Sequence, residues 1–174
     1  MGLEVLSVAI DALGTKMVMP YIEAANCTFP TLVDDQNHLS ELFGFKAVPN
    51  VIVINQRGII VGKQFGKFDI RKPDDLDMVH HWIDPRNPIG EVGLNDNGAS
   101  MESHSDAIKL FQRGMQNVAD NRIDEALNLW RFAVEKDPSN YVIRKQIWAI
   151  ENPEKFYDGE VDFDWQNAKL REGD

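Results

Sequence analysis

The sequence contains a single cysteine, Cys27, in 174 residues. One thiol cannot form an internal disulfide or a Cys-x-x-Cys pair, so dithiol chemistry from this chain's own residues is excluded. Positive charge is also scarce. Eighteen Lys and Arg face 28 Asp and Glu, giving a net charge of −10. Both halves share the deficit: residues 1–84 carry 7 basic and 11 acidic side chains, and residues 85–174 carry 11 and 17. With no basic stripe, nucleic-acid backbones and anionic lipid are poor partners for this surface. No apolar run reaches membrane-spanning length, and no basic, signal-like segment opens the chain. A Gly-rich phosphate loop, a Ser-His-Asp order and a spaced carboxylate pair are all missing. No catalytic, cofactor-binding or metal-binding residue is therefore expected.

What remains is ordinary globular material: 43% hydrophobic and 26% charged residues, enough for one large domain or two small ones. Residues 3–10 are rich in Val, Leu and Ile, which predicts a strand buried on both faces. Asp11 to Gly14 breaks it. Met17, Val18, Tyr21, Ile22 and Ala25 then fall at helical spacing, with Pro20 expected in the first turn. Thr28 to Val33 is a short extended segment, and Pro30 favours a sheet edge. Leu39, Leu42 and Phe43 predict a short helix closed by Gly44. Asn50 to Asn55 reads as a second buried strand. With the turn at Gln56-Arg57-Gly58 and the return over 59–65, it forms an antiparallel hairpin. A helix follows from Asp74, with Leu76, Val79 and Ile83 as its apolar stripe.

Residues 85–104 are dominated by Pro, Gly, Asn, Asp and Ser and read as a linker between two units. Beyond them the period is 3.6. The pattern predicts helices at about 105–118, 124–136 and 141–151, with Phe111, Met115 and Trp130 among the inward residues. The tail 153–174 alternates acidic and aromatic residues. It is expected to lie extended over the helices or to be partly disordered.

The order of Leu3–Asp11, Thr28–Asp34, Leu42–Phe45, Ala47–Asn55 and Arg57–Val61 resembles the later part of TlpA-like thiol-disulfide oxidoreductases and the wider redoxin group. The resemblance covers roughly residues 3–84. It implies an α/β, thioredoxin-like sheet with flanking helices, and a cis proline at Val48-Pro49 on the substrate side of the site. It also implies that the family's Cys-x-x-Cys unit, a strand and helix that would precede residues 3–10, is missing. The missing strand would lie between 3–10 and 50–55 in one sheet. Three explanations are open, in order of preference: an N-terminally incomplete copy of a longer protein, direct pairing of 3–10 with 50–55, or a strand supplied by a partner chain. Residues 107–138 resemble one tetratricopeptide repeat, through Gly114, Ala126, Trp130, Ala133 and Pro138. Arg113 and Asn117 depart from that pattern and weaken any claim to a peptide groove. Together with the Trp148 to Pro153 and Phe163 to Trp165 segments, the chain is similar to bacterial thioredoxin-like proteins with a carboxy-terminal helical extension.

That resemblance implies part of a thiol-disulfide oxidoreductase, without dithiol activity as it stands, acting on a protein thiol or docking a protein partner. The alternative is a non-catalytic adaptor built on a degenerate thioredoxin fold and one helical repeat. Individual polar residues add little. Cys27 follows a helix, where the dipole disfavours a thiolate, and reads as a tolerated small residue. His80 and His81 are adjacent on a helix and point about 100° apart, so they form no joint metal face. His38 and His104 are isolated. Asp74, Asp75 and Asp77 suit a helix N-terminus better than a cation site.

Overall fold

In a computed structural model, residues 3–84, 86 and 98–172 are described. The first half runs β1 (Ser7–Ala9), α1 (Thr15–Ala24), β2 (Thr31–Val33), α2 (His38–Phe43), β3 (Asn50–Ile54), β4 (Ile60–Phe65) and α3 (Pro73–Ile83). The second half runs α4 (Gly98–Ala119), α5 (Ile123–Lys136), α6 (Tyr141–Glu151), a 3-10 turn at Pro153–Lys155 and α7 (Phe163–Glu172). The chain is thus mixed α/β followed by helices.

One open alternative for the strands, direct pairing of 3–10 with 50–55, is not formed, and one expectation, that they are buried, is overturned. The segments around Val8 and Ile52 do not share a sheet. β1 pairs in parallel with β2, with Val8 opposite Leu32, and β3 pairs antiparallel with β4, with Ile52 opposite Lys63. They form two separate two-stranded sheets, and β1 does not pair directly with β3. Nor are these strands buried. No residue of β1 or β3 is fully enclosed, and Leu3, Val5 and Leu6 ahead of β1 are about half exposed. The physical reason is that each sheet is two strands wide and has little packed over it, so an apolar sequence alone cannot bury its own surface.

Local chemistry sets the ends of the short helices. Asp34 accepts hydrogen bonds from the backbone N–H of His38 (2.9 Å) and Leu39 (2.8 Å), which would otherwise be orphaned at the start of α2. Gly44 ends α2 at φ 73°, and its N–H reaches the Ser40 carbonyl at 2.9 Å. Pro20 sits in the sixth position of α1 rather than in its first turn. It removes one intrahelical donor from a helix of only ten residues. Gly62 in β4 admits the indole of Trp82 from α3. A Cβ there would lie 2.1 Å from the ring.

The main core lies in the helical half. Phe111, Met115, Trp130, Ala133 and Ile143 are all at most 1% exposed and pack as one cluster. Gly114 of α4 makes room for Trp130 of α5, whose Nε1–H donates to the Phe111 carbonyl at 2.9 Å. By contrast, Val18, Phe45 and Val79, each 6–9% exposed, are the buried apolar side chains of the strand half among the described residues.

Two boundaries also shift. α4 starts at Gly98, inside the stretch read as linker, while the rest of that stretch, 85 and 87–97, lies outside the described residues. The tail is not an extended strap. Trp165 of α7 stands edge-on to Trp148 (5.9 Å) and Phe156 (6.3 Å), and Gln166 is 3% exposed. Three aromatic rings supply the burial that the polar composition hid.

Candidate functional site

The turn that carries Val48 and Pro49 is built from α2 and β3. Phe43 stacks on Phe45 at 5.5 Å, and Phe45 meets the Phe65 ring edge-on at 5.1 Å, so the chain leaving α2 is anchored beside β4. Beyond this anchor the Val48–Pro49 peptide is cis. Asn50 ties the turn from below: its Nδ2 donates to the Ala47 carbonyl at 2.6 Å, and the Gly66 N–H donates to the Pro49 carbonyl at 2.8 Å. Val48 itself is 51% exposed, which leaves its side chain open to a partner.

The helical half docks against this turn. The Lys46 carbonyl accepts from the backbone N–H of Tyr141 (2.7 Å) and Val142 (3.2 Å), the first residues of α6. The Lys46 ammonium reaches Asp137 at 2.9 Å and the Ser139 hydroxyl at 3.2 Å. Asp137 is nearly enclosed and also meets His104 Nδ1 at 2.8 Å and the Ser139 hydroxyl at 2.6 Å. Burial raises the pKa of this carboxyl. The hydrogen bonds from Ser139, His104 and Lys46 outweigh it and hold the group below the usual carboxylate range. These four residues contain the types of a hydrolytic triad but not its order. Asp137 stands between serine and histidine, so no base faces the Ser139 hydroxyl. The cluster therefore binds two halves of the chain together rather than activating a nucleophile.

A second joint lies at the end of β1. Gln146 of α6 accepts from the Ala12 N–H at 2.8 Å and donates to the Ile10 carbonyl at 3.4 Å. Tyr157 donates its hydroxyl to Asp11 at 3.0 Å, and Tyr21 donates to the Phe156 carbonyl. Asp11 is 9% exposed, and burial pushes its carboxyl above the usual range despite hydrogen bonds from Leu13, Tyr157 and Gly14. Tyr157 is pushed up by burial and by the Asp11 charge.

The other polar residues singled out in the sequence stay apart. Cys27 follows α1 and is a half-buried free thiol. His38 is exposed and lies 4.0 Å from Glu41. His80 and His81 fall in the last turn of α3, and Asp74 and Asp75 in its first. Asp75 closes the entry to that helix by accepting from the Asp69 N–H at 2.8 Å. No cluster of three potential metal ligands occurs among the described residues. No helix is long and apolar enough to cross a membrane among those residues. His104 is the exception to its sequence reading: far from isolated, it belongs to the Asp137 cluster. Sequence separations of 33 between His104 and Asp137, and 93 between Lys46 and Ser139, hid this grouping. Only the turn-forming Asp137-Pro138-Ser139-Asn140 run hinted at a special position.

Comparison with family models, with curated proteins and with solved structures returns no match.

Proposed function

We propose that the chain is part of a thioredoxin-like thiol-disulfide oxidoreductase in which residues 47–50 form the substrate-side turn. One observation carries this reading: β1 and β3 are apolar strands written for burial on both faces, yet each has one strand neighbour and none of its residues is enclosed. A strand and covering helix inserted between them would complete one sheet. In the family that this sequence resembles, that unit holds the Cys-x-x-Cys pair. The substrate-side turn then meets a protein thiol at Val48, and the helical half, fastened at Lys46, flanks that contact. Without the cysteine pair the chain turns over no disulfide, because Cys27 alone cannot resolve a mixed disulfide.

The test has two parts. In an insulin-reduction assay with dithiothreitol, the chain and its Cys27→Ser variant give equal, background rates. Turnover by the parent above the variant contradicts the assignment of Cys27 as a bystander. Sequencing upstream of the Met1 codon addresses the larger claim. An in-frame segment encoding a strand and Cys-x-x-Cys supports the oxidoreductase, and an immediate stop with a ribosome site defeats it.

A second reading, a non-catalytic adaptor on a degenerate thioredoxin fold, is favoured by the distribution of burial. The helical half holds the main core and fastens across the end of the strand half. An adaptor would survive replacement of Cys27 and would use the helical surface.

A further inference from the structure

The loop between the 3-10 turn and α7 holds the only Asp-Gly pair of the sequence, Asp158-Gly159. Both residues are exposed. Gly159 has φ 96°, and no atom lies within 4 Å of the place a Cβ would occupy. Among the described residues, no hydrogen bond or ion pair engages the Asp158 carboxyl or the Gly159 N–H. The loop is closed at its base. The Lys155 ammonium meets Asp162 at 3.0 Å, and the Asp162 N–H donates to the Lys155 carbonyl, also at 3.0 Å. Within the closed loop, Phe156 presents its ring to Trp165 at 6.3 Å and Tyr157 donates to Asp11 at 3.0 Å. The loop therefore fastens α7 on one side and the end of β1 on the other.

We propose that Asp158-Gly159 is a site of spontaneous isoaspartate formation, and that conversion there loosens α7 and the joint to β1. The Gly159 backbone nitrogen attacks the carboxyl carbon of protonated Asp158. A C–N bond forms, the carboxyl C–OH bond breaks, and the hydroxyl leaves with the amide proton as water. The product is a five-membered succinimide. Water then adds to one of its two carbonyls. Opening at the side-chain carbonyl restores aspartate. Opening at the main-chain carbonyl leaves the chain running through the Asp158 Cβ, one atom longer, with a free carboxylate on Cα. Glycine permits this closure because it has no Cβ to shield the nitrogen and turns freely about its backbone. A longer main chain no longer fits a loop whose base is fixed by Lys155 and Asp162, so Phe156 and Tyr157 shift from Trp165 and Asp11. The proposal does not depend on the oxidoreductase reading.

The experiment holds the full native chain in mildly acidic buffer at physiological temperature for several weeks, beside a synthetic peptide of residues 154–162. Methyl transfer from S-adenosylmethionine by an isoaspartyl methyltransferase counts isoaspartate, and fragmentation mass spectrometry places it. Conversion of Asp158 leaves the mass unchanged, whereas loss of the Asn97 amide at Asn97-Gly98 changes it, so the two sites are told apart. The expected result is isoaspartate at position 158 in the native chain at a rate close to that of the peptide, and loss of that signal in Asp158→Glu, which would have to close a larger ring. The two forms of the 155–172 fragment separate by chromatography, so amide exchange of each is read from one aged sample. Residues 163–172 are expected to exchange about ten-fold faster in the isoaspartyl form, the worth of one hydrogen bond. A native chain that stays unconverted at 158 while the peptide converts, an undiminished methylation signal in Asp158→Glu, or equal exchange over 163–172 in the two forms overturns the proposal.

Discussion

Replacing Gly114 with alanine gives the sharpest test of how the helical half is packed. In most exposed helices this change helps, by up to about 1 kcal/mol, because glycine is a poor helix former. Here the added Cβ would sit 2.0 Å from Trp130 Nε1 and 2.4 Å from Cδ1. Those separations lie far inside van der Waals contact, so the indole must move by well over an ångström. It has little room, because Trp130 is fully buried and Phe111 lies 5.1 Å away, centroid to centroid. Moving it also breaks the hydrogen bond to the Phe111 carbonyl. Overpacking costs about 1–3 kcal/mol. A buried polar group left unpaired costs about 1–3 kcal/mol more. Set against the helix-propensity gain, the net loss is about 3 kcal/mol, or about 6–12 °C in Tm for a chain of this size. Urea unfolding followed by tryptophan fluorescence measures it. The double variant Gly114→Ala with Trp130→Phe is expected to be more stable than the sum of the single effects, because the smaller ring vacates the space and carries no donor. A Gly114→Ala chain as stable as the parent would show that the α4–α5 approach is not as close as described, and the reasoning would fail.

Four further outcomes follow from the same structure. Gly62→Ala pushes against Trp82 and is expected to destabilise the β4–α3 contact by about 1–3 kcal/mol, read as lost hydrogen-exchange protection in β3 and β4. Asp11 has a folded pKa raised above 3.8, so its contribution to stability is fully present below that value and is lost as pH rises through the folded pKa. Asp11→Asn should therefore gain on the parent across that rise, and a constant difference between the two unfolding curves from acid to neutral pH would contradict the burial argument. Asp137 has the opposite sign. Its folded pKa is depressed, so its stabilisation is present above 3.8 and fades as pH falls through the folded value, and Asp137→Asn should lose most at neutral pH. Trp165→Ala removes the edge contacts to Trp148 and Phe156 and is expected to release α7, with faster amide exchange over 163–172 and a loss of about 2 kcal/mol for a half-buried ring.

The sequence by itself determined the elements whose partners are close along the chain. The helical face of Ala107, Phe111 and Met115 met Trp130 and Ala133 of the next helix because both stripes repeat at 3.6 residues across a short turn. The hairpin of β3 and β4 was legible for the same reason, through its turn at Gly58. Gly44 and the acidic start of α3 were readable as helix ends, since capping is a property of neighbouring residues. Tertiary structure alone decided the rest. Whether an apolar strand is buried depends on what covers it, and β1 and β3 have too little over them, so their composition gave no warning of exposure. The tail became a helix because Trp148 of α6 offered Trp165 a ring edge, a gain that the tail's own polarity does not register. Lys46 and His104 reach the Asp137–Ser139 turn from distant points because one buried carboxylate needs several donors, and the neighbouring Ser139 supplies only one of them.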